Sequence, residues 1–282
     1  MKSLRELKGR IRSIVKIRDV TRAMKTSSAG KYRKALALLA DGRIYVQRIE
    51  EMAARLDIAE SGHPMARPHG GEPLLVVISS DRGLCGGFNT SLFRAAETFQ
   101  AKNNMANLVF LAVGSKAEDW CRRTRRPMAA SLVNLTAKLT EKRLGEAEDM
   151  ILDLFVSGKC SEVHLMYTEF RSVMNRRPRC VALLPVPHQP AAKGALPRAP
   201  RCLPCQAAVQ DYLLPRYARA RIRLALLESN ASEQAARMTT MDSATRNADD
   251  LLNRLKLDYQ KARQLSITRE LADLTTGAEA MK

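Results

Sequence analysis

Aromatic side chains are scarce in this 282-residue sequence: tryptophan occurs once, and Phe, Trp and Tyr together make up 5%. With 45% hydrophobic residues overall, the core must be built largely from Ala, Leu and Met, which favours closely packed helices. No run approaches the roughly 18 apolar residues that cross a bilayer as a helix. Runs such as Leu74–Ile78 and Leu108–Val113 are only strand-sized. Arg5, Lys8, Arg10 and Arg12 interrupt the apolar stretch that a secretory signal would need. The expected setting is therefore the cytosol or an equivalent compartment, with Cys85, Cys121, Cys160, Cys180, Cys202 and Cys205 reduced. The four histidines, His63, His69, His164 and His188, are too scattered for a ligand set or a triad. Acidic residues are also short: 29 against 47 basic ones leaves a net charge of +18. Such a balance implies an acidic partner, whether nucleic acid, an anionic membrane surface or an acidic protein ring.

Proline is missing from both ends. Between about Ser3 and Ile58 there is none, and apolar or small residues recur at Leu4, Leu7, Ile11 and Ile14. The pattern resumes after a three-residue slip at Ile17, Thr21, Met24 and Ser28. This is a helical period close to a coiled-coil seam, about 80 Å long if unbroken. After Pro215 the pattern is cleaner: Leu224, Leu227, Ala231, Gln234, Met238, Met241, Thr245, Ala248, Leu252, Leu255, Tyr259 and Ala262. Every step is three or four residues, which predicts a helix from about Tyr217 to Leu274. Small seam residues let helix axes approach closely, so the two ends should pair antiparallel.

The middle has a different texture. Glu60–Pro73 is rich in Gly, Pro and His and reads as a linker. Short apolar runs follow at Leu74–Ser79, Leu108–Gly114, Ala129–Leu135, Glu162–Thr168 and Arg179–Leu184, with an amphipathic helix at Thr140–Val156 ended by Gly158. That alternation predicts an α/β layer domain. Six prolines between Pro185 and Pro204 mark a second linker or an irregular foot. The divisions expected are 1–58, helix; 59–73, linker; 74–184, α/β domain; 185–208, linker or foot; and 209–282, helix.

Three local features invite a chemical reading. Ser80–Asn89, directly after the first strand, is a glycine-rich turn of the kind that cradles phosphate, but it lacks both the Walker Lys-Ser/Thr and G-x-G-x-x-G. A tight structural turn explains its glycines better. Cys202 and Cys205 have C-x-x-C spacing, yet no second Cys or His pair follows, so two free thiols in a loop are expected. The basic run of the first helix could track a phosphate backbone, although Tyr32 is the lone aromatic available for stacking. A basic coiled-coil nucleic-acid binder therefore stays open as the alternative.

The segments Ala231–Met238 and Ala262–Leu271 resemble the gamma subunit of F-type ATP synthases, as do Thr21–Lys25 with Lys31, Arg33 and Lys34, and the loop Ser80–Asn89. The matches come in the right order and at the right separations. This resemblance implies a mixed α/β fold: a long antiparallel two-helix coiled coil made by the N- and C-terminal helices, with an inserted Rossmann-like α/β domain. It implies a non-catalytic rotor shaft without a cofactor or metal. The shaft's partners would be the α and β subunits of the catalytic ring, an epsilon subunit and the membrane ring of c subunits, with no nucleic acid. The setting would be the cytoplasmic face of a bacterial inner membrane, held peripherally. Met24 and Lys25 would lie near an acidic lever segment of a β subunit, Arg237 would face the ring, and Gln264, Thr268 and Glu270 would make contacts near the shaft's upper end. Thr26 stands where the family usually has a second methionine, Gln260 where it has Asn, and the foot lacks the usual aromatic and acidic residues. With these departures, the resemblance implies a divergent member, expected to come from an alternative ion-translocating operon.

Overall fold

A computed structural model describes residues 4–56, 62–135, 139–187, 202, 203 and 205–280. The Pro-rich stretch expected between 185 and 204 lies mostly outside the described residues, as do residues 57–58 of the expected first helix and 59–61 of the first linker. The chain divides into two compact units, Gly30–Ala236 and Met1–Ala29 with Arg237–Lys282. Both divisions fall inside helices: α1, Leu4–Ala53, and α5, Gln206–Ala280.

In the unit Gly30–Ala236 a five-stranded sheet is built from β1 (Glu72–Ile78), β2 (Val109–Val113), β3 (Met128–Leu132), β4 (Cys160–Phe170) and β5 (Arg176–Leu184). Its order is β3-β2-β1-β4-β5, parallel except for β5, which runs antiparallel to β4. β1 reads as an unbroken apolar run because both its faces are covered, as a central parallel strand requires. Leu75, Val77, Phe110, Ala112 and Met166 pack under α2 (Phe88–Lys102) and α3 (Ser115–Arg123). Val76, Ile78, Leu111, Val163 and Leu165 face the other way, against α4 (Glu141–Val156) and parts of α1 and α5. α4 stops where Gly158 turns to φ +71, the conformation glycine adopts without strain. Within this unit α1 and α5 are antiparallel: Arg43 pairs with Glu228 at 2.7 Å and Glu50 with Arg221 at 2.5 Å.

α5 starts earlier than its sequence suggests. It runs through Pro215, which cannot donate a backbone hydrogen bond and costs a helix interior about 3 kcal/mol. Burial of Leu213, Leu214, Tyr217 and Ala218 against the core outweighs that cost.

The other unit consists of residues 4–29 of α1 and the end of α5. Arg18 lies 3.8 Å from Asp249, Thr21 2.9 Å from Thr245 and Lys25 2.5 Å from Asp242, so partner numbers fall as the others rise and the helices are antiparallel. Met241, Thr245, Ala248, Leu252 and Leu255 are buried at the expected three- and four-residue steps, opposite Leu7, Thr21 and Ser28 on the first helix. The slip expected at Ile17 does not occur. Ile17 is 51% exposed, and Arg18 keeps the period going by laying its stem along the seam while its guanidinium reaches Asp249.

Candidate functional site

In a parallel sheet the usual ligand crevice opens at the carboxyl ends of the strands, where the order reverses; here that point lies between β1 and β4. The loop Ser80–Asn89 borders it, but its polar groups already serve the fold. Ser80 N donates to Asn89 Oδ1 at 3.1 Å, Asn89 Nδ2 donates back to Ser80 Oγ at 2.8 Å, and Ser80 Oγ donates to the Arg82 carbonyl at 2.8 Å. Asp81 Oδ1 accepts from Ser115 N at 3.0 Å and from Asn134 N at 2.7 Å, tying the exits of β2 and β3 together. Ser79 Oγ accepts from Ala117 N at 2.8 Å. Gly114, at φ +93, passes so near that a Cβ there would sit 2.6 Å from the Ser79 carbonyl oxygen.

The crevice itself is filled by α5. Ser229 Oγ donates to the carbonyl of Ile78 at the end of β1 (3.1 Å), and Ser232 Oγ to that of Thr168 on β4 (3.0 Å). Both serines are buried, and Ala236 packs on Cys85 and Phe88 of the loop. The tight structural turn is what is found, and the space a nucleotide would take is occupied by the chain. Beside it, Arg43 donates from Nε and Nη2 to Glu228 Oε1 (3.0 and 2.7 Å), and Nη2 also reaches the Phe170 carbonyl. Burial pushes the Glu228 carboxyl above its ordinary value, against the pull of Arg43. Sequence reasoning missed Ser229 and Ser232. Two hydroxyls in a helix stretch otherwise rich in Ala and Leu were the available signal, since buried polar groups need partners.

The residues expected to contact a surrounding ring all lie in the two-helix unit, on different levels. Met24 and Lys25 are half-buried on α1, and Lys25 Nζ is held by Asp242, whose carboxyl is kept low by that bond and by Arg246 nearby. Arg237 is 8% exposed. Gln264, Thr268 and Glu270 are exposed and bonded along their own helix: Thr268 donates to the Gln264 carbonyl at 2.9 Å, and Glu270 accepts from Ser266 at 3.1 Å. Leu265, Ile267, Leu271 and Leu274 beside them are exposed apolar residues. No described helix is long and apolar enough to cross a membrane.

Paired terminal helices, an α/β domain inserted between them in sequence and a blocked crevice define a stalk-type subunit. The family model described as ATP synthase matches residues 3–281. The chain is 37% identical over 287 residues to the ATP synthase gamma chain of Desulforamulus reducens and 37% identical over 293 residues to that of Heliobacterium modesticaldum, covering all of each chain. A chain of the central stalk and c-ring structure of the Tetrahymena thermophila mitochondrial ATP synthase superposes with a TM-score of 0.59 at 26% identity, over 80% of this chain and 99% of that one. A chain of the Euglena gracilis mitochondrial enzyme shares the fold, with a TM-score of 0.71 at 17% identity over 99% of this chain and 94% of that one. The chain belongs to the ATP synthase gamma chain family.

Proposed function

We propose that this protein is the central rotor shaft of an F-type ATP synthase, coupling ion flow through a membrane ring to ATP synthesis or hydrolysis in a catalytic ring around it. The observation that carries this reading is the end-to-end likeness to gamma chains, which includes both terminal helices. The shaft is not itself a catalyst. Its partners are the α and β subunits of the catalytic ring, an epsilon subunit and the c-subunit ring, and it works at the cytoplasmic face of a bacterial inner membrane. A helix pair with a continuous seam is stiff, and an asymmetric shaft favours a different conformation at each surrounding site, which is coupling through differential contacts. Positive charge suits it to an acidic ring. Lys25 and Met24 meet the ring from the first helix, and Gln264, Thr268 and Glu270 meet it from the exposed end of the second.

Affinity capture of the full chain from native membranes tests this. The α and β subunits should come with it, and a catalytic ring assembled without it should lose most of its rotary ATPase activity. Capture of nucleic acid in a salt-sensitive manner, without those subunits, would reject the rotor in favour of the nucleic-acid alternative.

A further inference from the structure

A shaft that is turned through its α/β layers needs a joint between those layers and its helices. The backbone joins them through residues 54–71 and 185–205. The broad apolar contact of the sheet with α1 and α5 adds affinity, but it is non-directional and opposes sliding weakly. Hydrogen bonds and ion pairs are directional and resist it.

Such ties gather at the carboxyl edge of the sheet. Ser229 is bonded to the end of β1 and Ser232 to β4. Arg43 reaches three elements at once: it stands on α1, bonds Glu228 on α5 and bonds the last carbonyl of β4 at Phe170. The Glu228 side chain is 7% exposed, and Phe170 is wrapped by Leu39, Leu227 and Ala231, with the Tyr32 ring 5.8 Å away. The carboxylate is enclosed, while the Arg43 side chain is 44% exposed, so solvent screens the pair on its cationic side. Gly42 lets the helices close up at this level, since a Cβ there would come within 3.1 Å of Leu227 Cδ1. Other ties are narrower: Arg223 links α5 to Glu148 of α4, and Arg221 links α5 to Glu50 of α1.

We propose that Arg43, held between Glu228 and the Phe170 carbonyl and seconded by Ser229 and Ser232, is the joint that carries torque from the α/β layers into both helices. This rests on the rotor reading, since a chain that is not turned carries no torque. Arg43 is a positioning residue, and its effect should appear in coupling and stiffness rather than in hydrolysis.

The test uses the assembled holoenzyme in vesicles, with parent, Arg43→Ala, Arg43→Lys, the pair Ser229→Ala and Ser232→Ala, and Arg221→Ala as control. ATP hydrolysis and ATP-driven ion uptake are measured per assembled complex. The angular spread of a probe on Met174→Cys, in the exposed β4–β5 turn, is measured with the catalytic ring immobilised. Arg43→Ala should keep hydrolysis within about twofold, lower ions moved per ATP by about half or more and widen the angular spread, as expected when a charge-assisted tie to an enclosed carboxylate is lost. Arg43→Lys keeps a charge for Glu228 and should fall between. Assembled Arg43→Ala and Arg43→Lys enzymes with the parent's coupling ratio and spread would overturn the joint. So would an equal loss in Arg221→Ala, which loosens only the helix pair. Failure of the parent chain to join a catalytic ring sinks the rotor reading, and the joint with it.

Discussion

Thr21 and Thr245 meet hydroxyl to hydroxyl at 2.9 Å although 224 positions separate them in the chain. The Thr245 hydroxyl is shared between Thr21 Oγ1 and the Met241 carbonyl (2.8 Å), and Thr21 donates to the Arg18 carbonyl at 2.9 Å, so both buried hydroxyls are satisfied. Leucines would bind the two helices in several registers; a bonded threonine pair flanked by Arg18–Asp249 and Lys25–Asp242 favours one.

The first prediction follows from that register. Thr21→Cys with Thr245→Cys should form a disulfide readily under mild oxidation, located by peptide mass analysis, because side chains in hydroxyl contact fall within reach of an S–S bond. Both helices belong to one rotating body, so the cross-link should leave ATP hydrolysis by the assembled enzyme near the parent rate. Poor cross-linking, with ready cross-linking at unrelated pairs, would mean the helix pairing is wrong.

The second concerns the loop after β1. Asp81→Ala strips an acceptor from Ser115 N and Asn134 N and should destabilise the α/β layers by about 1–3 kcal/mol in urea unfolding. A nucleotide bound at a hundred times its Kd would add about 2.7 kcal/mol to the parent's stability. With the crevice filled by Ser229 and Ser232, ATP and GTP should leave the melting temperature of the full chain unchanged.

What the sequence made legible was local. Short apolar runs marked the strands and three- to four-residue periods the long helices, because burial imposes those patterns directly. The Rossmann-like layering and the antiparallel pairing of the ends agree with the resemblance to gamma subunits. Three features escaped. The periodic helix was expected only from about Tyr217, past Pro215, because the cost of a proline is local while its compensation, the burial of Leu213, Leu214 and Tyr217, is tertiary. Ile17 read as a seam residue because hydrophobicity favoured it over Arg18, whose partner Asp249 lies far along the chain. The role of Ser229 and Ser232 depends on strand ends that no helix pattern can reveal. The residues expected to face partners were named only through family likeness, since Gln264 and Thr268 are exposed and burial imposes no pattern on them.

A third prediction concerns pH. Burial raises the Glu169 carboxyl, but hydrogen bonds from Arg171 (2.7 Å) and Arg179 (2.5 Å) outweigh that and hold it below the ordinary 4.5. A folded-state value that is depressed contributes stability above the unfolded value and loses it as pH falls through the folded one. Glu169→Gln should therefore cost about 1 kcal/mol at neutral pH, both arginines being largely solvated. The gap to the parent should close in acid below 4.5. A gap that stays constant from neutral pH into that acid range would show that the two arginines do not hold the carboxylate.

The fourth prediction concerns Met24, half-buried on the first helix beside the Lys25–Asp242 pair. A lysine at this level adds a second flexible cation where Lys25 already occupies the nearby carboxylate of Asp242. Its charge would be left to seek an acidic group on the surrounding ring, at some rotor angles and not at others. A charged contact across an interface is worth about 1.5 kcal/mol or more when close, which is about tenfold in the dwell at one angle. Met24→Lys should therefore lower ion uptake per ATP by more than it lowers hydrolysis, measured in the same vesicles. Raising the ionic strength should narrow the difference, because partly exposed charges are screened. Equal coupling efficiency in Met24→Lys and the parent would mean that this level of the helix does not touch the ring.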